Sequence, residues 1–304
     1  MTDRVTVSVD EGVADVRLNR PDKLNALDVA TFEALAEAGD RIAADPSVRA
    51  VVLSGEGRSF CAGLDFANFA AMADAPSSGD HPGGGQPGGG QPGGGQPDGG
   101  QPDGGQRGGE RFRRLLTDIT EREPGRITNL GQQAAHTWRE LPQPVIAAVT
   151  GHALGGGLQI ALGADLRIVA PDATLSVLEI RWGLVPDMTG TAALIRLVGE
   201  DVAKELTFTG RMVSGEEAVR LGLATRTADD PRQAATDLAR EIAANSPDAV
   251  RAAKRLLNRA ADDDLAGQYL AESRELGALR GSPNQAEAVR AYFEKRPAAY
   301  SDPA

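Results

Sequence analysis

The chain has 304 residues, of which 41% are hydrophobic, and its formal net charge is −11 with no block of lysine or arginine. This length is enough for one large or two small domains, and the acidic balance argues against nucleic acid or an anionic membrane as a partner. The single cysteine, Cys61, excludes an intrachain disulfide. Neither a secretory signal nor a run of transmembrane length is recognisable, so we expect a soluble cytoplasmic protein.

The first 65 residues predict a hairpin, a helix and a third strand. Apolar and polar side chains alternate over 5–9 and again over 13–18, with turn residues between them, which indicates a β-hairpin. Asp28 is placed to cap a helix that reaches about Ala43, because its carboxylate can accept from the first helical amides. An apolar run over 48–53 then predicts a strand that leads into a glycine-bearing turn.

A low-complexity segment interrupts the chain after this turn. Over 82–106 a five-residue unit, Pro-(Gly/Asp)-Gly-Gly-Gln, is repeated. Such a composition cannot bury enough apolar area to offset the entropy of ordering, so we predict a disordered insert over about 74–110. It is either a tethering or interaction segment or a tolerated repeat expansion in a surface loop, and the second interpretation is favoured.

The central stretch of the chain joins an apolar, β-branched run at 144–149 to a glycine triplet at 155–157 and then to helix-forming residues at 158–164. A run of this kind suits a strand buried on both faces. The turn that follows would place bare backbone N–H groups at a helix N-terminus, where they can meet negative charge. Glycines also let a ligand approach the main chain closely, although a tight turn that binds nothing would look the same.

Two short strands between 166 and 178 and a loop with Glu179 at one end and Asp187 at the other are predicted next. Helix then follows helix to the end of the chain. Strands and helices alternate first and helices dominate afterwards, which predicts an α/β core over 1–199 and a helical region over 200–304.

Two motifs give the chain a resemblance to a known family. Phe-Cys-Ala-Gly-Leu-Asp at 60–65 and Gly-His-Ala-Leu-Gly-Gly-Gly at 151–157, each after a buried strand, are together similar to the enoyl-CoA hydratase/isomerase (crotonase) family. The similarity extends from about Val5 to the C-terminal helices, apart from the insert. It implies an α/β fold of the crotonase-like (ClpP/crotonase) type, a spiral of β-β-α units in two roughly perpendicular sheets. The C-terminal helices would then assemble homotrimers or hexamers.

The reactions of the resembled family share the stabilisation of a thioester enolate. Two backbone N–H donors meet that demand, each worth about 3–4 kcal/mol by analogy with known oxyanion donors. The resemblance places them on Leu64, after the glycine of the first turn, and on Gly156, the middle glycine of the triplet. Core packing is the alternative for Leu64, and the presence of the second motif favours the oxyanion role.

The resemblance also indicates the groups that move protons. The family's hydratases carry a glutamate two residues after the glycine triplet, where this chain has Gln159, whose amide cannot usefully exchange a proton near neutral pH. Glu179 matches the second glutamate, and Asp187 stands where dienoyl-CoA isomerase relatives carry an aspartate. We expect these carboxylates to shuttle a proton while Gln159 holds the substrate or a water. A solvated loop carboxylate and a helix N-cap are the alternatives for Glu179 and Asp187.

Coenzyme A contacts are implied for five residues, which are Lys23, Ala26, Ala62, Asp65 and Lys295. Lys295 would reach the phosphates, in some relatives those bound by a neighbouring subunit. A solvated charge is the competing interpretation of both lysines. No histidine or cysteine pattern has metal-ligand spacing, and no separate cofactor is expected because coenzyme A is part of the substrate.

Three kinds of activity and one non-catalytic role are compatible with this constellation. Isomerisation of an enoyl- or dienoyl-CoA double bond is slightly favoured, because it needs one group that removes a proton and the same or another group that returns it. Hydration of 2-enoyl-CoA to 3-hydroxyacyl-CoA, as in fatty-acid β-oxidation, benefits from two groups that manage a water. Enolate decarboxylation or C–C bond formation also fits a single glutamate with a glutamine. A non-catalytic acyl-CoA-binding scaffold is the hypothesis of a different class.

Overall fold

The computed structural model describes residues 3–65 and 122–303. The strands of these residues are β1 Val5–Asp10, β2 Val13–Leu18, β3 Ala50–Gly55, β4 Val145–Val149, β5 His152–Leu154, β6 Leu166–Val169, β7 Thr174–Ser176, β8 Val213–Ser214 and β9 Arg226–Thr227. Within this described part they form a six-stranded sheet in the order β1-β2-β3-β4-β6-β9 and a three-stranded sheet in the order β5-β7-β8. The predicted insert over about 74–110 lies outside the described residues.

The larger sheet begins with the predicted hairpin and continues in parallel. β1 and β2 are antiparallel, with Val5 opposite Leu18, whereas β2, β3, β4, β6 and β9 pair with parallel neighbours. Every residue of β4 is buried, because the strand has neighbours on both edges and packed side chains on both faces. β4 therefore holds the start of the following segment in a defined position.

The helices follow the predicted order closely. They are α1 Val29–Ala43, α2 Leu130–Glu140, α3 Gly156–Gly163, α4 Gly190–Val198, α5 Glu200–Thr209, α6 Gly215–Leu221, α7 Pro231–Ala243, α8 Pro247–Arg259, α9 Leu265–Leu279 and α10 Pro283–Glu294. Asp28 caps α1 as predicted, since its side chain accepts a hydrogen bond from the Thr31 amide. Short 3₁₀ helices occur at Pro21–Lys23 and Glu179–Trp182.

Apolar side chains fill both faces of the larger sheet. On one face, the small residues Ala235, Ala239 and Ala243 let α7 lie close to the sheet, where they pack with side chains such as Ile146 and Ile168. The other face forms the larger cluster, which includes residues of α1, α2 and α3. None of the described helices combines the length and the apolar character needed to cross a bilayer.

The strand β5 corrects the predicted route between β4 and the glycine helix. The chain does not pass directly from strand to glycine turn; it bends at Gly151 and first adds His152–Leu154 to the smaller sheet. Gly151 has φ +57°, and a Cβ there would lie 2.2 Å from the Arg58 carbonyl oxygen. A strand of three residues is too short to show an alternating pattern, so the sequence could not indicate it.

Candidate active site

The two glycine-bearing motifs lie side by side in the structure. Cys61 and Ala153 form a parallel bridge, in which the Cys61 amide donates to the His152 carbonyl at 2.8 Å and the Leu154 amide donates to the Cys61 carbonyl at 3.0 Å. The contact requires glycine at 157, because a Cβ there would lie 2.5 Å from the Cys61 carbonyl oxygen. The two motifs therefore form one structural unit although they are far apart in the chain.

The backbone around Leu64 leaves its amide free. The Gly63 carbonyl accepts from the Leu27 amide at 2.8 Å, and the Asp65 amide donates to the Leu27 carbonyl at 3.0 Å. In a trans peptide the N–H points opposite to the preceding carbonyl, so the Leu64 N–H points away from the Leu27 backbone. It makes no hydrogen bond with another described residue.

Gly156 supplies a second amide of the same kind. It is the first residue of α3, and the first amides of a helix have no acceptor within it. No other described residue accepts its hydrogen bond, and both Gly156 and Leu64 are partly exposed. A ligand can therefore reach either residue, and the positive end of the α3 dipole favours negative charge at Gly156.

Gln159 is buried in α3, only 2% exposed, and its polar atoms bind the protein itself. Its Oε1 accepts from the main-chain amides of Met188 at 2.8 Å and Gly190 at 3.0 Å. Its Nε2 donates to Oε1 of Glu179 at 2.7 Å. Because two N–H donors face one end of the side chain, that end must be the amide oxygen. The expectation that Gln159 holds the substrate or a water is thus not met by its oxygen, which is already occupied.

Glu179 lies in an environment that disfavours its charge. The carboxylate is partly buried, and its Oε2 is inaccessible and has no hydrogen-bond partner among the described residues. Burial raises the pKa of Glu179, the Gln159 amide opposes the rise, and the negative charge of Asp187 adds to it. The carboxylate lies close to Gly155, where a Cβ would be 3.3 Å from Glu179 Oε1.

Asp187 stands at the end of the same segment and is exposed. The protein atoms around it exclude part of its water, which raises the pKa of this carboxyl as well. The alternative interpretation of Asp187 as a helix N-cap is wrong. α4 begins at Gly190 after Thr189, which has φ +69°, and no side chain caps it. Two carboxylates of raised pKa therefore share one edge of the site, as at many functional sites.

Arg20, which the sequence analysis did not single out, organises the loop assigned to coenzyme A. Its guanidinium pairs with the Asp65 carboxylate at 2.9 Å and donates to the Ala26 carbonyl at 2.5 Å. The Asp65 carboxylate and the Ala26 carbonyl are therefore engaged within the protein. The Ala62 amide donates to the Leu24 carbonyl at 2.9 Å.

The same loop has an unusual backbone. Leu24 and Asn25 both have positive φ, +51° and +56°, which costs about 1–3 kcal/mol at each residue unless the surroundings hold it. The buried Asn25 side chain holds it by donating to the Ser59 carbonyl at 2.7 Å. Lys23 lies exposed on this loop, whereas Lys295 lies exposed at the C-terminal end of α10. The coenzyme A contacts of all five residues stay predictions.

Other reactive groups do not form a second centre in residues 3–65 and 122–303. No group of three or more His, Cys, Asp or Glu side chains in this part is arranged to hold a metal ion. Burial raises the pKa of the Cys61 thiol to about 12, so it stays protonated and unreactive. His136 lies beside Glu140, with Nε2 and Oε1 3.5 Å apart, and burial lowers its pKa.

Known proteins resemble this chain over most of its length. A family model described as enoyl-CoA hydratase/isomerase matches residues 8–80 and 116–303, leaving out 81–115, where the repeats lie. The short-chain-enoyl-CoA hydratase of Clostridium acetobutylicum is 31% identical over 287 residues, which are 93% of this chain and 92% of that protein. The (E)-benzylidenesuccinyl-CoA hydratase of Thauera aromatica is 31% identical over 301 residues, 97% of this chain and 98% of that one.

The solved structures agree with the sequence relatives. The crystal structure of an enoyl-CoA hydratase from Bacillus anthracis has a TM-score of 0.78 at 28% identity and covers 98% of both chains. That of an enoyl-CoA hydratase from Mycobacterium smegmatis has a TM-score of 0.73 at 30% identity, covering 97% of this chain and 98% of that one. The α/β core with its C-terminal helical region is thus the crotonase fold, and the chain belongs to the enoyl-CoA hydratase/isomerase (crotonase) family.

Proposed function

We propose that the protein isomerises the double bond of an enoyl- or dienoyl-CoA through a thioester enolate. The observation that supports this most is the hydrogen bond of 2.7 Å from Gln159 to Glu179. Because an amide occupies position 159, the pair offers one carboxylate where two would be needed to manage a water from both sides. Glu179, with its raised pKa, is suited to take a proton and to return it.

The proposed reaction begins at C2 of a 3-enoyl-CoA. Glu179 removes a C2 proton, the C2–H electron pair forms the C1–C2 double bond, and the thioester oxygen becomes negative. The amides of Leu64 and Gly156 donate to that oxygen, each contributing about 3–4 kcal/mol. Glu179 then returns the proton to C4, or a protonated Asp187 delivers its own proton to C4 and is afterwards reprotonated by Glu179. The electron pairs shift to form the C2–C3 double bond and to restore the thioester carbonyl, and a 2-enoyl-CoA leaves. No redox partner is needed.

Hydration is the second candidate, and the names of the relatives favour it, since those from Clostridium acetobutylicum and Thauera aromatica are both called hydratases. For this reaction Glu179 would activate the water, and Asp187 would replace the missing second glutamate. Enolate decarboxylation or C–C bond formation uses the same oxyanion donors. A non-catalytic acyl-CoA-binding scaffold would keep the donors without turnover.

The proposed partners are an acyl-CoA thioester and further copies of the chain. The helices α9 and α10 leave large apolar side chains exposed, among them Leu265, Tyr292 and Phe293, at 70%, 80% and 78%. Apolar area of this kind is typical of surfaces that are covered in an assembly. A homotrimer or hexamer therefore stays the prediction for the region over 200–304, and light scattering of the purified chain tests it.

Assays with three thioesters distinguish the candidates. We expect the wild type to convert 3-enoyl- or 3,5-dienoyl-CoA faster than it adds water to 2-enoyl-CoA, and Glu179→Gln to abolish the conversion. Brisk hydration that survives Glu179→Gln would contradict the site assignment. Hydration that depends on both Glu179 and Asp187 would favour the second candidate, and tight binding without any turnover would favour the scaffold.

A further inference from the structure

We propose that Gln159 is a positioning residue that holds the proton-transfer group Glu179 in place and ties it to the segment of Asp187. Its amide is held by the main chain at the start of α4 and donates to Oε1 of Glu179, which fixes the carboxylate in place. This inference rests on the proposed function only in taking Glu179 as the proton-transfer group. It holds for isomerisation, hydration and any other enolate reaction at this site.

The side chain of Gln159 is fixed at both ends. Two amides hold its oxygen, from Met188 at 2.8 Å and Gly190 at 3.0 Å, and its nitrogen reaches Glu179 at 2.7 Å. The helix α4 can begin this close only because residue 190 is glycine. A Cβ there would lie 2.7 Å from Gln159 Oε1 and 2.8 Å from its Cγ.

This arrangement makes the two oxygens of Glu179 unequal. Oε1 accepts from the Gln159 amide, whereas Oε2 is buried without a partner among the described residues. In the protonated acid, an N–H donor pairs with the carbonyl oxygen and not with the hydroxyl. The hydrogen of the protonated acid therefore resides on Oε2. The Gln159 amide is the side-chain donor that stabilises the charged form of Glu179.

The amide also couples the two carboxylates. Asp187 directly precedes Met188, whose amide is one of the two donors to Gln159. The same side chain thus positions Glu179 through its nitrogen and the segment of Asp187 through its oxygen. Loss of the amide removes a donor from Glu179 and also loosens that segment. A carboxylate at 159 would instead place a like charge at hydrogen-bond distance from Glu179, which raises the pKa of the pair.

The test compares four substitutions by two measurements. Gln159→Leu removes the amide at similar volume, Gln159→Glu adds a charge, and Gly190→Ala displaces the amide without removing it. Gly277→Ala is the control, since no atom lies within 4 Å of a Cβ at that helical glycine. The first measurement is the ¹³C NMR titration of the Glu179 carboxyl, assigned by its loss in Glu179→Gln. The second is the pH profile of C2-proton exchange of butyryl-CoA in D₂O.

We expect Gln159→Leu to raise the pKa of Glu179 and the acid limb of the exchange profile together by about one unit. Gln159→Glu should raise both pKa values further, and Gly190→Ala should raise them by less. Gly277→Ala should leave both unchanged. A merely structural role would lower the rate without moving either pKa. Unchanged titration in folded Gln159→Leu and Gly190→Ala would overturn the inference. Absence of exchange in the wild type would instead contradict the proposed function, and the carboxyl titration would still decide the inference.

Discussion

Two buried polar regions near opposite ends of β4 differ in how many of their polar atoms have hydrogen-bond partners. Next to the start of β4, Lys254 is 7% exposed. Its ammonium group donates to Asp165 at 2.7 Å, to the Gln143 carbonyl at 2.9 Å and to the Trp138 carbonyl at 3.1 Å. The three hydrogens of this cation therefore all have acceptors.

Glu179 lies beyond the other end of β4, and only one of its two carboxylate oxygens has a hydrogen-bond partner among the described residues. Burial lowers the pKa of Lys254, and the negative charge of Asp165 opposes the change. The three hydrogen bonds of its ammonium group join α8 to the sheet. Burial raises the pKa of Glu179 with only one side-chain donor to oppose it. A complete set of partners thus indicates a structural role, whereas an oxygen without a partner among the described residues indicates a reactive one.

The largest expected effect is the loss of activity in Glu179→Gln. The substitution keeps the shape and the acceptor for Gln159 but removes the group that takes the proton, so turnover should fall about 10²–10⁴-fold. Initial rates on 3-enoyl-CoA measure it. Glu216→Gln, at an exposed residue, is the matched control and should keep full activity. A loss below tenfold in Glu179→Gln would show that the unmatched carboxylate is not the base.

Removal of the cation from the matched region should reduce stability instead. Lys254→Met removes a donor from two carbonyls and leaves the Asp165 carboxylate with only the Val145 amide as a donor among the described residues, so the free energy of unfolding should fall by about 3–5 kcal/mol. Urea denaturation measures this change. Lys204→Met, which breaks an exposed ion pair with Glu200 on α5, should cost less than about 1 kcal/mol. A similar loss of stability in both variants would contradict the expectation that the buried Lys254 contacts contribute more than an exposed ion pair.

The two regions were not equally predictable from the sequence. The glycine motifs at 60–65 and 151–157 contain Leu64 and Gly156, because a motif reports local backbone needs. The resemblance adds Gln159 and Glu179 to the same predicted site. Lys254 and Asp165 belong to no motif. Their contact, between residues on α8 and just before β6, arises from tertiary packing, and no local periodicity reports it.

Short elements and hydrogen-bond partners escaped prediction for a related reason. β8 and β9 have two residues each, so they carry no alternation. That the Gln159 oxygen is taken by Met188 and Gly190 depends on where α4 begins, and the φ of +69° at Thr189 is not readable from its residue type. The residue types of the site were therefore predictable, whereas the direction of each hydrogen bond was not.

A smaller effect is expected where the two motifs touch. Gly157→Ala would place a Cβ 2.5 Å from the Cys61 carbonyl and 2.8 Å from its sulfur, which should push the two free amides apart. Turnover should fall about tenfold to a hundredfold, short of the full loss of one oxyanion donor. Steady-state kinetics with 3-enoyl-CoA measure it. Gly131→Ala, with only one ordinary contact at 3.5 Å, is the control. Full activity of Gly157→Ala would mean that the amides do not act on one oxygen.

The smallest expected effect is a gain in stability in Glu179→Gln, opposite to the loss expected in Lys254→Met. The folded protein raises the pKa of Glu179, so it binds this proton more tightly than the unfolded chain does. Stability is therefore lost as the pH rises from the usual glutamate range through the folded pKa. Glu179→Gln removes this loss and should stabilise the fold near neutral pH, with no difference at a pH below the usual glutamate range. Urea denaturation at several pH values measures it, with Glu216→Gln as the control. If Glu179→Gln is less stable than the wild type at every pH, the folded protein stabilises the charged glutamate. The difference between Glu179 and Lys254 would then be contradicted.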